Sequence, residues 1–138
     1  MTMTPTPWSK ELETGLIWQD FQHRELVINL HRLYKAILEK RDQESVREIV
    51  HFLDIYVKSH FGLEEQYMRA HGYPETEQHL KEHDAFRASY RGLKVFYEEP
   101  SELSGTMLCY DLNEWVVNHI QTTDRRLGEF LARQGGGG

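Results

Sequence analysis

Apolar residues recur at three- and four-residue intervals along most of this chain, and four stretches carry that pattern far enough to predict helices. The first runs from about Asp20 to Lys40, with Asp20 as a candidate cap and a stripe of Val27, Leu30, Tyr34 and Ile37. The second runs from about Gln43 to Ala70, with Val46, Ile49, Leu53, Tyr56 and Tyr67 on one face, and Gly72 and Pro74 end it. The third covers about Glu75 to Tyr97 and aligns Phe86, Tyr90, Leu93 and Tyr97, with Pro100 marking the next turn. The fourth covers about Glu102 to Leu131, with Leu108, Leu112, Val116 and Phe130 inward.

Ahead of them, residues 1–17 read as an extended arm. Pro5 and Pro7 keep it out of a helix, and Trp8, Leu12, Leu16 and Ile17 are placed to pack on the body. Period-two alternation rich in β-branched residues is missing, so no sheet is expected. Short turns between amphipathic helices predict an all-α fold: an antiparallel up-down-up-down four-helix bundle with an extended N-terminal arm. Residues 1–134 read as one domain, and Gly135 to Gly138 as a flexible tail with no function assigned.

The stripes contain residues that do not belong in an apolar core. His23, His60, His79, His83 and His119 each lie within the inward face of their own helix, and so does Glu64. A buried carboxylate is strongly disfavoured unless its charge is compensated, and no basic residue shares these stripes. A bound cation would supply the compensation. Residues four apart sit one turn apart on the same helix face, so His60 with Glu64 and His79 with His83 can each converge on a centre between helices. His119 and Asp124 are five apart, roughly 140° around an ideal helix. Either that pair approaches a cluster from different sides, or the helix is locally deformed there. A single histidine on an apolar stripe is more often a hydrogen-bonded core residue than a ligand, and the last pair taken alone is weak. The combined set of five imidazoles and two carboxylates on four helices is what points to metal. It has the donors for two ions with a coordination position left over. His31, His51 and His71 lie outside the pattern and read as surface or loop residues.

Composition narrows the partners. A formal net charge of −6 without any basic run argues against nucleic acid and against an anionic membrane surface. No apolar run approaches the roughly 18–20 residues of a membrane span, and Met1 to Pro7 lacks the features of a signal peptide. The single cysteine, Cys109, excludes an internal disulfide and reads as a small core residue in a reducing, cytoplasmic setting.

With these residues in view, the chain resembles the hemerythrins, in particular the bacterial single-domain type, from Trp8 to about Leu131. Trp8, Gly15-Leu16 and Asp20-Phe21-Gln22-His23 are similar to the family's opening; His60 to Glu64, Met68, Gly72-Tyr73-Pro74, His79 to His83 and Trp115 to Asp124 follow in its order. The resemblance implies two iron ions bridged by an oxo or hydroxo group. His79, His83 and His119 would hold one iron and His23 and His60 the other, with Glu64 and Asp124 bridging. It further implies dioxygen as the ligand, in a pocket with Trp115, Val116 and Ile120 as its walls. Two departures stand out: Gln19, where the family usually has an aliphatic residue, and Val116, where it often has Leu, a change that loosens the pocket and speeds ligand exchange or autoxidation.

The function this implies is reversible O₂ binding for storage, delivery or buffering, without enzymatic turnover. The alternatives are an O₂ or redox sensor, with an O₂-consuming enzyme or signalling partner in trans, and a slow di-iron peroxidase, oxidase or nitric oxide reductase. Di-iron oxygenases in bundles use carboxylate-rich sets with two Glu-x-x-His pairs. This chain has one, Glu48 to His51, outside the ligand pattern.

Overall fold

A computed structural model of the chain describes residues 5–99 and 103–134. Pro100, the expected start of the fourth helix at Glu102 and the glycine tail lie outside the described residues. Four helical rods form the bundle, and no strand occurs among the described residues. Helix α1 is Ile17–Leu38, α2 is Asp42–His71 and α3 is Thr76–Glu98. The fourth rod is composite: α4 (Ser104–Trp115), a π-helical stretch with wider turns (Val116–Asp124), and α5 (Arg125–Arg133). Its junction residues Val116 and Asp124 keep right-handed helical backbone, so the rod is continuous. Short connections reverse the chain each time. Helix α2 packs between α1 and α3, and the fourth rod closes the ring against both.

Helix α1 starts earlier than the sequence suggested. Leu16, not Asp20, is its cap residue. The Asp20 carboxylate reaches back from the first turn and accepts the Thr14 N–H at 2.8 Å, the Thr14 hydroxyl at 3.0 Å and the Gly15 N–H at 3.2 Å. Its charge therefore still sits at the positive end of the helix, where it is favoured. The early start draws Trp18 and Gln19 into the helix. It also turns Ile17 outward, 77% exposed, so Ile17 does not pack on the body as expected. The remainder of the arm does pack: Leu12 and Leu16 are buried, and Trp8 lies half-buried on the core with the Arg24 guanidinium over its ring. At the far end of α2, Gly72 adopts φ +62°, a left-handed conformation that suits a residue without Cβ. Its N–H and that of Tyr73 both reach the Met68 carbonyl, which turns the chain into α3.

Two apolar clusters hold the bundle. The larger includes Leu26, Leu30, Leu53, Phe61, Leu112, Val116 and Ile120; the smaller is Leu16, Met68, Tyr73, Leu127 and Leu131. Each fully buried side chain of this kind contributes about 1.5–3 kcal/mol. Along every rod, the buried histidines and carboxylates fall between these two clusters. Apolar packing on both sides thus fixes the polar layer in position.

Candidate metal centre

All seven donors meet in that layer. His23 projects from α1, His60 and Glu64 from α2, His79 and His83 from α3, and His119 and Asp124 from the π-helical stretch. None is more than 1% exposed. They form two overlapping groups. Glu64, His79, His83, His119 and Asp124 bring one donor atom each to within 4.8 Å of one another, and His23, His60, Glu64 and Asp124 do the same. The two carboxylates belong to both groups, the placement a bridging carboxylate requires.

The i+5 spacing is resolved by deformation of the helix. In the π-helical stretch each turn takes up an extra residue. Asp124 therefore comes round onto the face of His119, and its Oδ1 lies 2.9 Å from His119 Nε2. The same oxygen is 2.9 Å from His79 Nε2, while Oδ2 is 2.9 Å from His23 Nε2. Glu64 faces His83, His60 and His79 at 3.1, 3.1 and 3.3 Å.

These short distances are not hydrogen bonds. The Nε2 atoms of all five histidines, Glu64 Oε1 and both Asp124 oxygens are buried without a hydrogen-bond partner. Orphaned polar atoms in such number are rare and costly in a protein interior. Lone pairs aimed at common points fit divalent or trivalent cations, and imidazole with carboxylate suits first-row transition ions, iron among them.

For three of the five rings the outer nitrogen accounts for the inward aim, while Nδ1 of His23 and of His79 is buried without a partner. His83 Nδ1 donates to Glu65 at 2.9 Å, His119 Nδ1 to Glu82 at 2.7 Å, and His60 Nδ1 to the side-chain carbonyl of Gln22. A proton fixed on Nδ1 leaves the Nε2 lone pair facing the centre. Glu65 is held in turn by Arg87 at 2.9 Å, and Glu82 by the Thr123 hydroxyl at 2.8 Å. Aromatic faces clamp the rings: Trp115 on His119 at 3.8 Å, Phe61 on His83 at 4.0 Å, Tyr56 on His60 at 4.7 Å.

The charges couple strongly. Burial opposes a proton on His79, but Asp124 and Glu64 beside it prevail and push its pKa up to about 10. His119 rises to about 9 against the same burial, chiefly through Asp124. Burial disfavours ionised Glu64 and Asp124, yet the surrounding imidazoles hold both well below the usual carboxylate range. Its hydrogen bond from His119 lowers Glu82 to about 2. The pattern is that of a pair of buried anions in need of positive charge.

The expected pocket residues fall on the same side of the layer. Val116 and Ile120 are fully buried in the larger cluster, and Trp115 is half-buried against it. Of the remaining histidines, His51 is exposed, His31 meets the Thr6 carbonyl at 3.0 Å, and His71 stacks on Tyr67 at the end of α2. Cys109 is buried, and burial pushes its thiol up to about 11.

Sequence reasoning missed Gln19 as a site residue. It is fully buried and donates to Glu64 at 2.8 Å and to the Asp124 backbone carbonyl at 3.3 Å. The signal was available, because Gln19 precedes His23 by one helical turn. Glu65 and Glu82 were also missed. Each is adjacent in sequence to a ligand candidate, and only the packing of α2, α3 and the fourth rod shows which ring it serves.

Similarity to known proteins runs through this same layer. The sequence model of the hemerythrin HHE cation binding domain matches residues 14–131. A bacteriohemerythrin of Pseudomonas aeruginosa is 29% identical over 117 residues, 85% of this chain and 75% of that protein. A bacteriohemerythrin of Ralstonia nicotianae is 26% identical over 128 residues, covering 93% and 90%. A myohemerythrin of Theromyzon tessulatum is 27% identical over 120 residues, covering 87% and 88%.

Proposed function

The chain belongs to the hemerythrin family, and from that premise we propose that it binds dioxygen reversibly at a non-haem di-iron centre, for storage, delivery or buffering. Family membership carries non-haem iron binding and an oxygen-related role without enzymatic turnover. The finer reading rests on one observation: two donor groups share Glu64 and Asp124, but one holds three imidazoles and the other two.

His79, His83 and His119 would hold one iron, His23 and His60 the other, with Glu64 and Asp124 across both. A solvent-derived oxo or hydroxo bridge would complete the proposed cofactor. The group with two imidazoles would offer its iron one protein donor fewer, which would leave a position for a small ligand. An accessible position is what separates a reactive metal site from a structural one. When bound, the two irons supply the electrons by which O₂ is held.

The chain's own residues do the rest. Nδ1 partners and aromatic faces hold the His60, His83 and His119 rings in place, so these three would need little reorganisation to receive a metal. Val116, Ile120 and Phe61, all fully buried, keep water away from the ligand side. None of these three side chains is an acid or a base, which favours holding the ligand over cleaving it. Among the described residues no helix is long and apolar enough to cross a membrane. A cytoplasmic setting and an oxygen-consuming or signalling partner in trans belong to the proposal.

Visible spectra of the iron-loaded protein in air and under vacuum, with iron quantified per chain, test it. Two irons per chain and a long-lived oxygenated band that disappears under vacuum are expected. Immediate conversion to the diferric state with release of peroxide would overturn reversible binding in favour of a sensor or enzyme.

A further inference from the structure

Tyr56 stands one helical turn before His60 on α2, with its ring 22° from parallel to that imidazole. Phe52 and Phe61 close on it at 5.7 and 5.9 Å. By sequence pattern it is an ordinary core residue. Its hydroxyl is not ordinary, being buried without a hydrogen-bond partner. The contrast with two other tyrosines is direct. Tyr90 donates to the Val50 carbonyl and Asp54 at 2.9 and 2.7 Å, and Tyr97 to Asp111 at 2.5 Å.

Tyr56 and His60 spring from the same face of α2 one turn apart, and their rings lie nearly parallel. The longer phenol ring therefore runs inward alongside an imidazole whose Nε2 lies 3.1 Å from Glu64, and its hydroxyl ends at the metal layer on the side of His60. The Trp115 indole N–H is likewise buried without a hydrogen-bond partner. Outward, the edge of Tyr56 and His60 line a cavity of about 140 Å³ between α1 and α2, together with Gln22 and Ser59. The stacked pair is thus a wall whose inner side carries one unpaired donor. A phenylalanine would give the same wall and spare the cost of an unpaired buried O–H.

We propose that Tyr56 is the positioning residue for the bound ligand: its O–H donates a hydrogen bond to the outer atom of a small ligand, dioxygen or a linear anion, held at the two-histidine metal position. This rests on the di-iron reading above. Phe61, against which the phenol ring packs, offers no competing acceptor. With no base in hydrogen-bond reach, the phenol donates without parting with its proton. It therefore retains the ligand and does not drive its protonation and loss.

The test uses the full-length iron-loaded protein, Tyr56→Phe, and azide as the probe. Azide affinity is read by visible titration, and the antisymmetric stretch of bound azide by infrared spectroscopy in H₂O and D₂O. Both proteins are expected to hold two irons per chain. Tyr56→Phe should bind azide about tenfold more weakly, the scale of one hydrogen bond. The azide band should shift between H₂O and D₂O in the wild type and stay fixed in the variant. The wild-type isotope shift is informative even if the variant loads iron poorly, because its absence alone overturns the proposal. Equal affinities with two irons present overturn the role of Tyr56 and leave the di-iron reading standing. Failure of the wild type to take up iron overturns both.

Discussion

His119 and Asp124 are five residues apart, yet Nε2 of one lies 2.9 Å from Oδ1 of the other. They meet because Val116–Asp124 winds as a π-helix between two α-helical segments. A π-helical turn inside an α-helix is the mark of an inserted residue, and such turns cluster at functional sites. Here the cost of poorer backbone bonding places a carboxylate between two sets of imidazoles.

Deleting the exposed Thr122 tests that account. Removing one residue from the wide turn should return the rod to α-helical geometry and keep Leu127 and Leu131 facing inward. In a regular helix the same deletion rotates everything beyond it by roughly 100°. The iron-free deletion protein should keep its helical circular dichroism and melt cooperatively, while iron falls below two per chain because Asp124 is no longer aimed. Deletion of Ala88 in the regular α3 should instead abolish cooperative melting. If both deletions unfold the protein alike, the insertion account is wrong.

Glu82→Ala removes the acceptor of His119 Nδ1–H, which lies at 2.7 Å, and frees the Thr123 hydroxyl. Loss of such an outer partner typically weakens metal binding 10- to 100-fold. Competition with a chelator of known affinity should show a loss on that scale, with helix content unchanged. An unaltered affinity would mean that aromatic stacking on Trp115 alone fixes the ring.

Gly128→Ala should destabilise the bundle although alanine is the better helix former. A Cβ at Gly128 would come within 2.3 Å of Thr14 Cβ and 2.5 Å of Gln19 Oε1. Thr14 Cβ is tied to its own backbone and cannot swing aside. Overpacking costs typically 1–3 kcal/mol and exceeds a helix-propensity gain of about 1 kcal/mol. Urea unfolding should show a net loss of up to about 2 kcal/mol. Because Gln19 is displaced from Glu64, iron retention should fall too; a stabilised variant would show that the arm yields freely.

The iron-free protein should lose stability as pH rises. With folded pKa values of about 10 for His79 and about 9 for His119, above the ordinary 6.5, their contribution is complete below about pH 6.5 and disappears between about 9 and 10. Glu64 and Asp124 are shifted down, so their contribution is present above the ordinary carboxylate range and lost in acid. Melting temperatures of iron-free protein should therefore drop between pH 7 and pH 10. Iron-loaded protein should not show that drop, since metal takes the place of those protons. A flat profile for the iron-free protein would contradict the charge coupling.

Cys109 should be inert in the folded state. Buried and raised to about 11 by that burial, its thiol carries almost no thiolate at pH 8. A disulfide reagent at pH 8 should titrate no thiol in native protein and one per chain in guanidinium. Rapid native reaction would point to an opening of α4 that the packing does not suggest.

The amino-acid sequence by itself determined four helices, their inward faces and the seven ligand candidates, because a 3.6-residue period reports burial locally and imidazoles on a buried stripe are conspicuous. Spacing put His60 with Glu64 and His79 with His83 on shared faces, and only the combined set pointed to metal. What lies between helices was not legible in this way. The sequence left Asp124 with two geometries, and the bundle selected the deformed helix because apolar packing on both sides of the layer fixes Val116, Ile120, Leu127 and Leu131 together. Asp20 looked like a cap, but its carboxylate reaches back to the arm, an attachment only the folded arm reveals. The partners of the rings, Gln22, Glu65 and Glu82, and the buried amide of Gln19 act across helix interfaces, and periodicity within one helix carries no information about the neighbour that a side chain will touch. Tyr56 is the clearest case: the stripe placed its ring in the core, while the direction of its hydroxyl was decided by the four helices closing around it.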